Sequence, residues 1–240
     1  MAERERLVSV VVPTYNECEN IDPLVRRVFA AVDSQESELI IVDDNSPDGT
    51  AARVEALAAS FPVRCVVRRD ERGLATAVLR GMAEARGALI VSLDADLSHP
   101  PEKIPELLKA LEDPQVQAAV GSRFVPGGEV DLFWPLHRRL NSLIGRMLAR
   151  PLTPVKDMMA GFFCVRRREL SLERLRPIGY KILLELIVRH GWTNVVEIPI
   201  TFSERAAGKT KLSVAEQVRY LGHLWRLYGY VLFGRRSGWR

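Results

Sequence analysis

The chain has 240 residues, 47% of them hydrophobic, and a formal net charge of +4. This is enough apolar material for one sizeable core, which excludes a disordered chain, and the length fits one large domain or a domain with an appendage. The three scattered cysteines, Cys18, Cys65 and Cys164, have no metal-ligand spacing and an odd count, so neither a cysteine metal site nor a disulfide framework is expected.

The first half alternates two patterns. Leu7–Val12 (LVSVVV) reads as a buried strand ending at Pro13, too short for a secretory signal. An amphipathic stretch, 20–32, follows. Leu39–Val42 is a second strand, closed by Asp43 and Asp44; the turn 45–49 leads into an Ala-rich helix over 50–60. Val63–Val67 is a third strand, 73–86 a helix and Ala88–Leu93 a fourth strand. Pro100 and Pro101 open a helix to about Glu112, and Val116–Val120 forms another strand. In the second half, 124–135 reads as a Gly/Pro-containing loop. His137–Arg150 reads as a helix with the apolar stripe Leu140, Leu143, Ile144 and Met147 beside Arg139, Arg146 and Arg150. Val195–Phe202 reads as a late strand, and 213–233 as an amphipathic helix. Its broad apolar face carries Val214, Val218, Leu221, Trp225, Tyr228 and Leu232, with Arg219, His223 and Arg226 opposite. No window approaches the roughly 18–20 apolar residues that cross a bilayer, so a soluble or peripheral protein is expected.

Strand–helix alternation predicts an α/β fold: one Rossmann-type domain, a mostly parallel central sheet with helices on both faces. The expected division is a catalytic unit over 1–212 and a C-terminal amphipathic helix with a basic tail over 213–240. Ligands of such sheets bind outside the carboxyl ends of the strands. Three polar groups fall at those ends: Tyr15-Asn16-Glu17, Asp43-Asp44 and Asp94-Ala95-Asp96.

The pair Asp94 and Asp96 directly follows an apolar strand. Two carboxylates one residue apart at a strand end can share a hard divalent cation, Mg²⁺ or Mn²⁺, with the phosphate oxygens of a ligand. His99, ahead of the two prolines, reads as a residue opening the helix, not as a metal ligand. Charge is uneven: residues 1–60 carry five Lys/Arg and twelve Asp/Glu, while 205–240 carry eight Lys/Arg and one acid, Glu216. A basic end suggests an anionic partner, and no nucleic-acid-binding motif accompanies it.

Taken together, VVVPTYNE (10–17), IVDDNSPDGT (41–50), GLATAVLRGMAEARG (73–87), LDADLSHPPEKIPEL (93–107), GSRFVPGG (121–128), GFFCVRR (161–167), PIGYKILLEL (177–186) and Arg205-Ala-Ala-Gly-Lys-Thr-Lys211-Leu-Ser213 resemble the inverting family 2 glycosyltransferases. More narrowly they resemble the polyprenol-phosphate (dolichol-phosphate) mannosyltransferases. The resemblance implies a GT-A-like fold, a GDP-mannose donor, a divalent metal and a polyprenyl monophosphate acceptor. It implies that Pro13, Tyr15, Glu17, Val42 and Asp44 hold the nucleoside, and that Asp94, Ala95 and Asp96 meet the metal and the diphosphate. Arg123, Arg205 and Lys211 would contact phosphates, with Arg138 or Arg139 at the acceptor. Asp94, Asp96 and Arg123 are thus the candidate catalytic residues, and Asp94, Asp96 and Ser98 the candidate metal residues. Ser98 stands where relatives often carry Gln, so its shorter hydroxyl would act through a water or leave the metal fewer protein ligands. Met158-Met159-Ala160 is a second departure, in the acceptor loop.

A phosphate monoester has its second pKa near about 6, so the acceptor arrives already deprotonated and needs no general base. The obstacle is repulsion between anions, roughly 4 kcal/mol for unit charges about 4 Å apart at an effective dielectric near 20. Cations answer it, and direct displacement at the sugar C1 with inversion is expected. The segment around Gly208 would order as a lid when donor binds. The C-terminal helix would pack on the core or lie on a membrane with Arg235, Arg236, Trp239 and Arg240, or meet a membrane partner subunit, at the cytoplasmic face. Rival readings are a polyprenyl-phosphate glucosyl or N-acetylglucosaminyl transferase using a UDP-sugar, a sugar nucleotidyltransferase and a non-catalytic nucleotide-sugar-binding subunit.

Overall fold

Strands β1 (Val8–Thr14), β2 (Ser37–Asp43), β3 (Val63–Val67) and β4 (Leu89–Ser92) alternate with helices α1 (Cys18–Ala31), α2 (Thr50–Leu57) and α3 (Leu74–Glu84). A 3-10 turn at Pro101–Lys103 leads into α4 (Ile104–Ala110), followed by β5 (Ala118–Ser122), β6 (Glu129–Val130), α5 (Leu136–Ala149), β7 (Phe163–Arg166), α6 (Ile182–His190), β8 (Val195–Pro199), β9 (Thr201–Phe202) and α7 (Val214–Gly229), which ends in a π turn at Tyr230–Gly234. The computed structural model describes residues 8–130, 136–176, 178–179, 181–202 and 214–234.

Seven strands form one sheet in the order β3-β2-β1-β4-β7-β5-β8, and β6 pairs with β9 as a separate ribbon. All neighbours in the large sheet are parallel except β7, which runs antiparallel to both β4 and β5. The strands are covered on both faces, so they read as near-continuous Val/Ile runs. Val10, Val12, Leu39 and Ile41 face one core with Ile21, Leu24, Val28, Val54, Ile104 and Leu107 of α1, α2 and α4. Val11, Ile40 and Val42 face the other with Val78 and Met82 of α3, Leu183 and Ile187 of α6, and Leu224 and Leu227 of α7. Gly81 lets α3 settle on the sheet: a Cβ there would lie 2.2 Å from Val11 Cγ1.

The expected strand–helix order holds through β5. The last strand is broken: β8 ends at Pro199, and β9 joins β6. Strand order reverses between β1 and β4, because β2 and β3 build outward on one side of β1 and β4 lies on the other. The carboxyl ends of β1 and β4 therefore flank a crevice at this switch point. The reversed β7 brings its amino end, Gly161-Phe162, to the same edge.

Among the described residues no helix is long and apolar enough to cross a membrane. Of the expected α7 stripe, Tyr228 packs against the core, but Val218, Leu221, Trp225 and Leu232 do not. His223, Leu224 and Leu227 point inward, while Val218, Leu221, Leu232 and Trp225 (82% exposed) point outward. On α5, Leu140, Leu143, Ile144, Leu148 and Met147 (65% exposed) are likewise uncovered. The two helices are tied by Tyr220 Oη donating to the Gly145 carbonyl and Tyr228 Oη to that of Leu148, each at 2.7 Å. Met147, Leu148, Pro151, Leu221, Leu224, Trp225 and Tyr228 line a cleft of about 410 Å³ between them.

Candidate active site

Three loops leaving the carboxyl-end edge of the sheet contain a non-glycine residue with positive φ: Asn16 (58°) after β1, Asn45 (55°) after β2 and Leu97 (62°) after β4. Asn tolerates this conformation; Leu does not, and such a residue costs about 1–3 kcal/mol and marks functional loops. Leu97 turns the chain so that the Ser98 amide (3.1 Å) and hydroxyl (2.6 Å) both donate to Asp96 Oδ1. Asp96 is buried, as is Ser98. Ser98 therefore acts here as a donor that fixes Asp96, and Ala95 packs into the core.

Asp94 is held differently. Its amide donates to His99 Nδ1 at 3.1 Å. That bond requires an unprotonated Nδ1, so the imidazole is neutral with its proton on Nε2. Burial lowers the His99 pKa, and this outweighs the raising effects of Asp94 and Asp96. The ring stacks on Phe162, centroids 5.6 Å apart, and meets Phe202 edge-on at 5.4 Å. His99 stands two residues ahead of the 3-10 turn at Pro101, whose cap is Pro100, and forms the floor of the site. Beside it, Gly161 leaves room for the Asp94 carboxylate: a Cβ there would stand 3.1 and 3.3 Å from its two oxygens. The Asp94 side chain is 29% exposed.

Those carboxylates fit a hard divalent cation. Both are oxygen donors, one aimed by Ser98 and the other given space by Gly161. Among the described residues no cluster of three or more His, Cys, Asp or Glu could hold a metal. A Mg²⁺ or Mn²⁺ here would thus complete its shell from ligand phosphate and water.

The expected nucleoside side is built from the first two loops. Asn16 N–H donates to Ser46 Oγ at 2.9 Å, Glu17 N–H to Thr50 Oγ1 at 3.1 Å and Cys18 N–H to Asp48 Oδ2 at 3.0 Å, strapping the Tyr15–Glu17 loop to the turn after β2. Half-buried Pro13 precedes this loop in β1. Tyr15 lies under the Arg72 guanidinium, 4.9 Å from the ring centroid. Glu17 Oε2 accepts from Asn20 Nδ2 at 2.7 Å. Asp44 is engaged already: Arg68 donates to Oδ1 through Nε at 2.8 Å and through a terminal nitrogen, and Gly73 N–H donates to Oδ2 at 2.8 Å. Val42 lies wholly in the core with its side chain toward α3, and its carbonyl accepts from Thr14 Oγ1 at 3.4 Å.

Arg123 follows β5. Its Nε and one terminal nitrogen bind Asp157 bidentately at 2.7 and 2.8 Å, and its amide adds a bond of 3.1 Å. Asp157 is fully buried. The Arg123 guanidinium also lies 5.0 Å from the Phe202 ring and 5.3 Å from that of Phe124. Sequence reading missed Arg68, Asp157 and the floor role of His99. Arg205, Lys211, Ser213 and the basic tail lie outside the described residues, as do the side chains of Arg138 and Arg139.

A family model described as glycosyl transferase family 2 matches residues 9–175. The chain belongs to glycosyl transferase family 2. Within that family it is similar to the dolichol-phosphate mannosyltransferase of Saccharomyces cerevisiae, 44% identical over 232 residues, 92% of this chain and 86% of that one. It is 42% identical over 224 residues to the Pyrococcus furiosus protein of the same name, covering 92% of this chain but 63% of that longer relative. The polyprenol monophosphomannose synthase of Mycolicibacterium smegmatis is 39% identical over 216 residues, 85% of this chain and 80% of that one. Among solved structures, glucosyl-3-phosphoglycerate synthase from Mycobacterium tuberculosis in complex with Mn²⁺, UDP-glucose and phosphoglyceric acid superimposes with a TM-score of 0.74 at 22% identity, over 93% of this chain and 80% of that one. This family 2 chain thus has the GT-A-like fold that the resemblance implied.

Proposed function

We propose that this chain transfers mannose from GDP-mannose to a polyprenyl (dolichyl) monophosphate, with inversion at C1. The observation that carries the reading is the pair of carboxylates at the switch point, Asp94 given space by Gly161 and Asp96 aimed by Ser98. The mannosyltransferases among its relatives support the choice of sugar and acceptor.

Asp94 and Asp96 would hold a Mg²⁺ or Mn²⁺, which when bound neutralises charge on the departing diphosphate. Pro13, Tyr15 and Glu17 with the Asp44 loop would receive the nucleoside, and Arg72 caps Tyr15. The neutral His99 cannot add its charge to the site, and none is required of it as a base, because the acceptor monoester is already a dianion. Arg123, fixed in direction by Asp157, presents a rigid cationic edge to phosphate. Arg205 and Lys211 are proposed partners in the same task. The outward apolar faces of α5 and α7 support docking on a membrane surface, the proposed setting being its cytoplasmic face.

One assay tests the reading. Polyprenyl phosphate in vesicles is offered with GDP-mannose, UDP-glucose or UDP-N-acetylglucosamine, with Mg²⁺, Mn²⁺ or EDTA. Metal-dependent transfer from GDP-mannose alone, lost in Asp94→Ala, is expected. Transfer from a UDP-sugar instead would replace the donor assignment, and transfer that survives EDTA would sink the role given to Asp94 and Asp96.

A further inference from the structure

We propose that Arg146, on the inner face of α5, receives the phosphate of the lipid acceptor. The proposal rests on the functional reading above and names a residue that the sequence motifs did not. It starts from a charge imbalance. Two guanidiniums share the Phe124 ring: Arg123 at 5.3 Å from the centroid and Arg146 at 3.6 Å. Among the described residues one buried carboxylate, Asp157, serves them, and its two oxygens are taken by Arg123. Arg146 makes no ion pair or hydrogen bond among the described residues, and its Nε is buried without an acceptor. Such a donor is costly to leave unmet, about 1–3 kcal/mol or more for a charged group, and native structures keep one only where something else completes it.

The position suits an anion that arrives on an apolar chain. On α5 the residues flanking Arg146 divide cleanly: Gly145 and Ala149 are buried, while Leu143, Ile144, Met147 and Leu148 are exposed. One helix therefore offers an apolar outer face and, around its side, a cation. Contact runs from that cation to the metal-type carboxylates: Arg146 to Phe124, Phe124 to Arg123, Arg123 to Phe202, Phe202 to His99, His99 to Asp94. Burial draws the Arg146 pKa down, Asp157 raises it and Arg123 lowers it further. Guanidinium stays protonated regardless, so the site holds a cation that an anionic ligand would relieve.

The test uses the full chain and geranyl phosphate, with geraniol and GDP as controls, by isothermal titration. Arg146→Gln is expected to weaken geranyl phosphate binding by about tenfold or more, with geraniol and GDP unaffected, and Arg146→Lys to recover part of it. In the transfer assay the acceptor KM rises with the donor KM unchanged. The melting temperature should hold or rise, since an unpaired, partly buried cation has been removed; if the Gln variant does not fold, the Lys variant supplies the same comparison. Unchanged geranyl phosphate binding, or a loss confined to GDP, overturns the proposal. Binding through Arg146 without sugar transfer from GDP-mannose would leave this inference standing and remove the functional reading. Transfer with an unaltered acceptor KM in Arg146→Gln would do the reverse.

Discussion

At the residue scale the site depends on small groups around two carboxylates. Any side chain at Gly161 would crowd the Asp94 carboxylate. Gly161→Ala sets a methyl 3.1 Å from one carboxylate oxygen and 3.2 Å from His99 Cε1. It should weaken Mn²⁺-supported turnover by about 10–100-fold with little change in melting temperature, as expected when a group that orients a metal ligand is disturbed. Metal titration of activity checks this; wild-type metal dependence in the variant would show that Asp94 has slack. Asp157 is a different case. It joins Arg123 to the interior, and its removal leaves two guanidiniums around Phe124 without their buried counter-charge. Asp157→Ala should cost about 3–5 kcal/mol in denaturant unfolding, the range for a broken buried pair. Neither contact was legible in the sequence. Asp94 and Asp96 were, because a strand end fixes which edge of the sheet they occupy. Asp157 lies 34 positions from Arg123, and Arg68 lies 24 from Asp44; no local pattern announces such partners.

At the element scale α7 is the instructive segment. Its apolar stripe was readable, but not the side from which it would be covered. The helix carries two apolar faces, and the body takes the one with His223, Leu224 and Leu227. His223 fits there because Glu185 of α6 meets its Nε2 at 2.6 Å, with both side chains buried. Burial would raise the Glu185 pKa, but the bonds from His223 and the Arg176 amide, with Arg189 nearby, bring it below the usual value. A carboxylate with a depressed folded pKa contributes stability that is complete above its unfolded value and is lost as pH falls through the folded one. Stability should therefore decline below about pH 4.5, and Glu185→Gln should flatten that decline while lowering stability at neutral pH; an identical acid limb in the variant would assign the decline elsewhere. The outward face answers to a different measurement. Leu221→Gln with Trp225→Gln should leave unfolding within about 0.5 kcal/mol of wild type per site and abolish co-sedimentation with anionic vesicles. Retained sedimentation would move the membrane contact to other residues.

At the scale of the whole molecule, the alternation of apolar runs and amphipathic stretches specified the parallel half of the sheet through β5, since a strand buried on both faces is a continuous apolar run. It did not specify β7. Four residues are too few to show a period, and direction within a sheet is decided by neighbours, not by the strand itself. That one reversed strand has a consequence for how the chain is made. β4 and β5 are never partners; each waits for β7, which leaves the ribosome some 70 residues after β4. Until then a nascent chain holds two unprotected strand borders side by side, an invitation to pair with another chain. A fragment ending at residue 160 should therefore self-associate when expressed, whereas one reaching residue 202 has the strand that closes the gap.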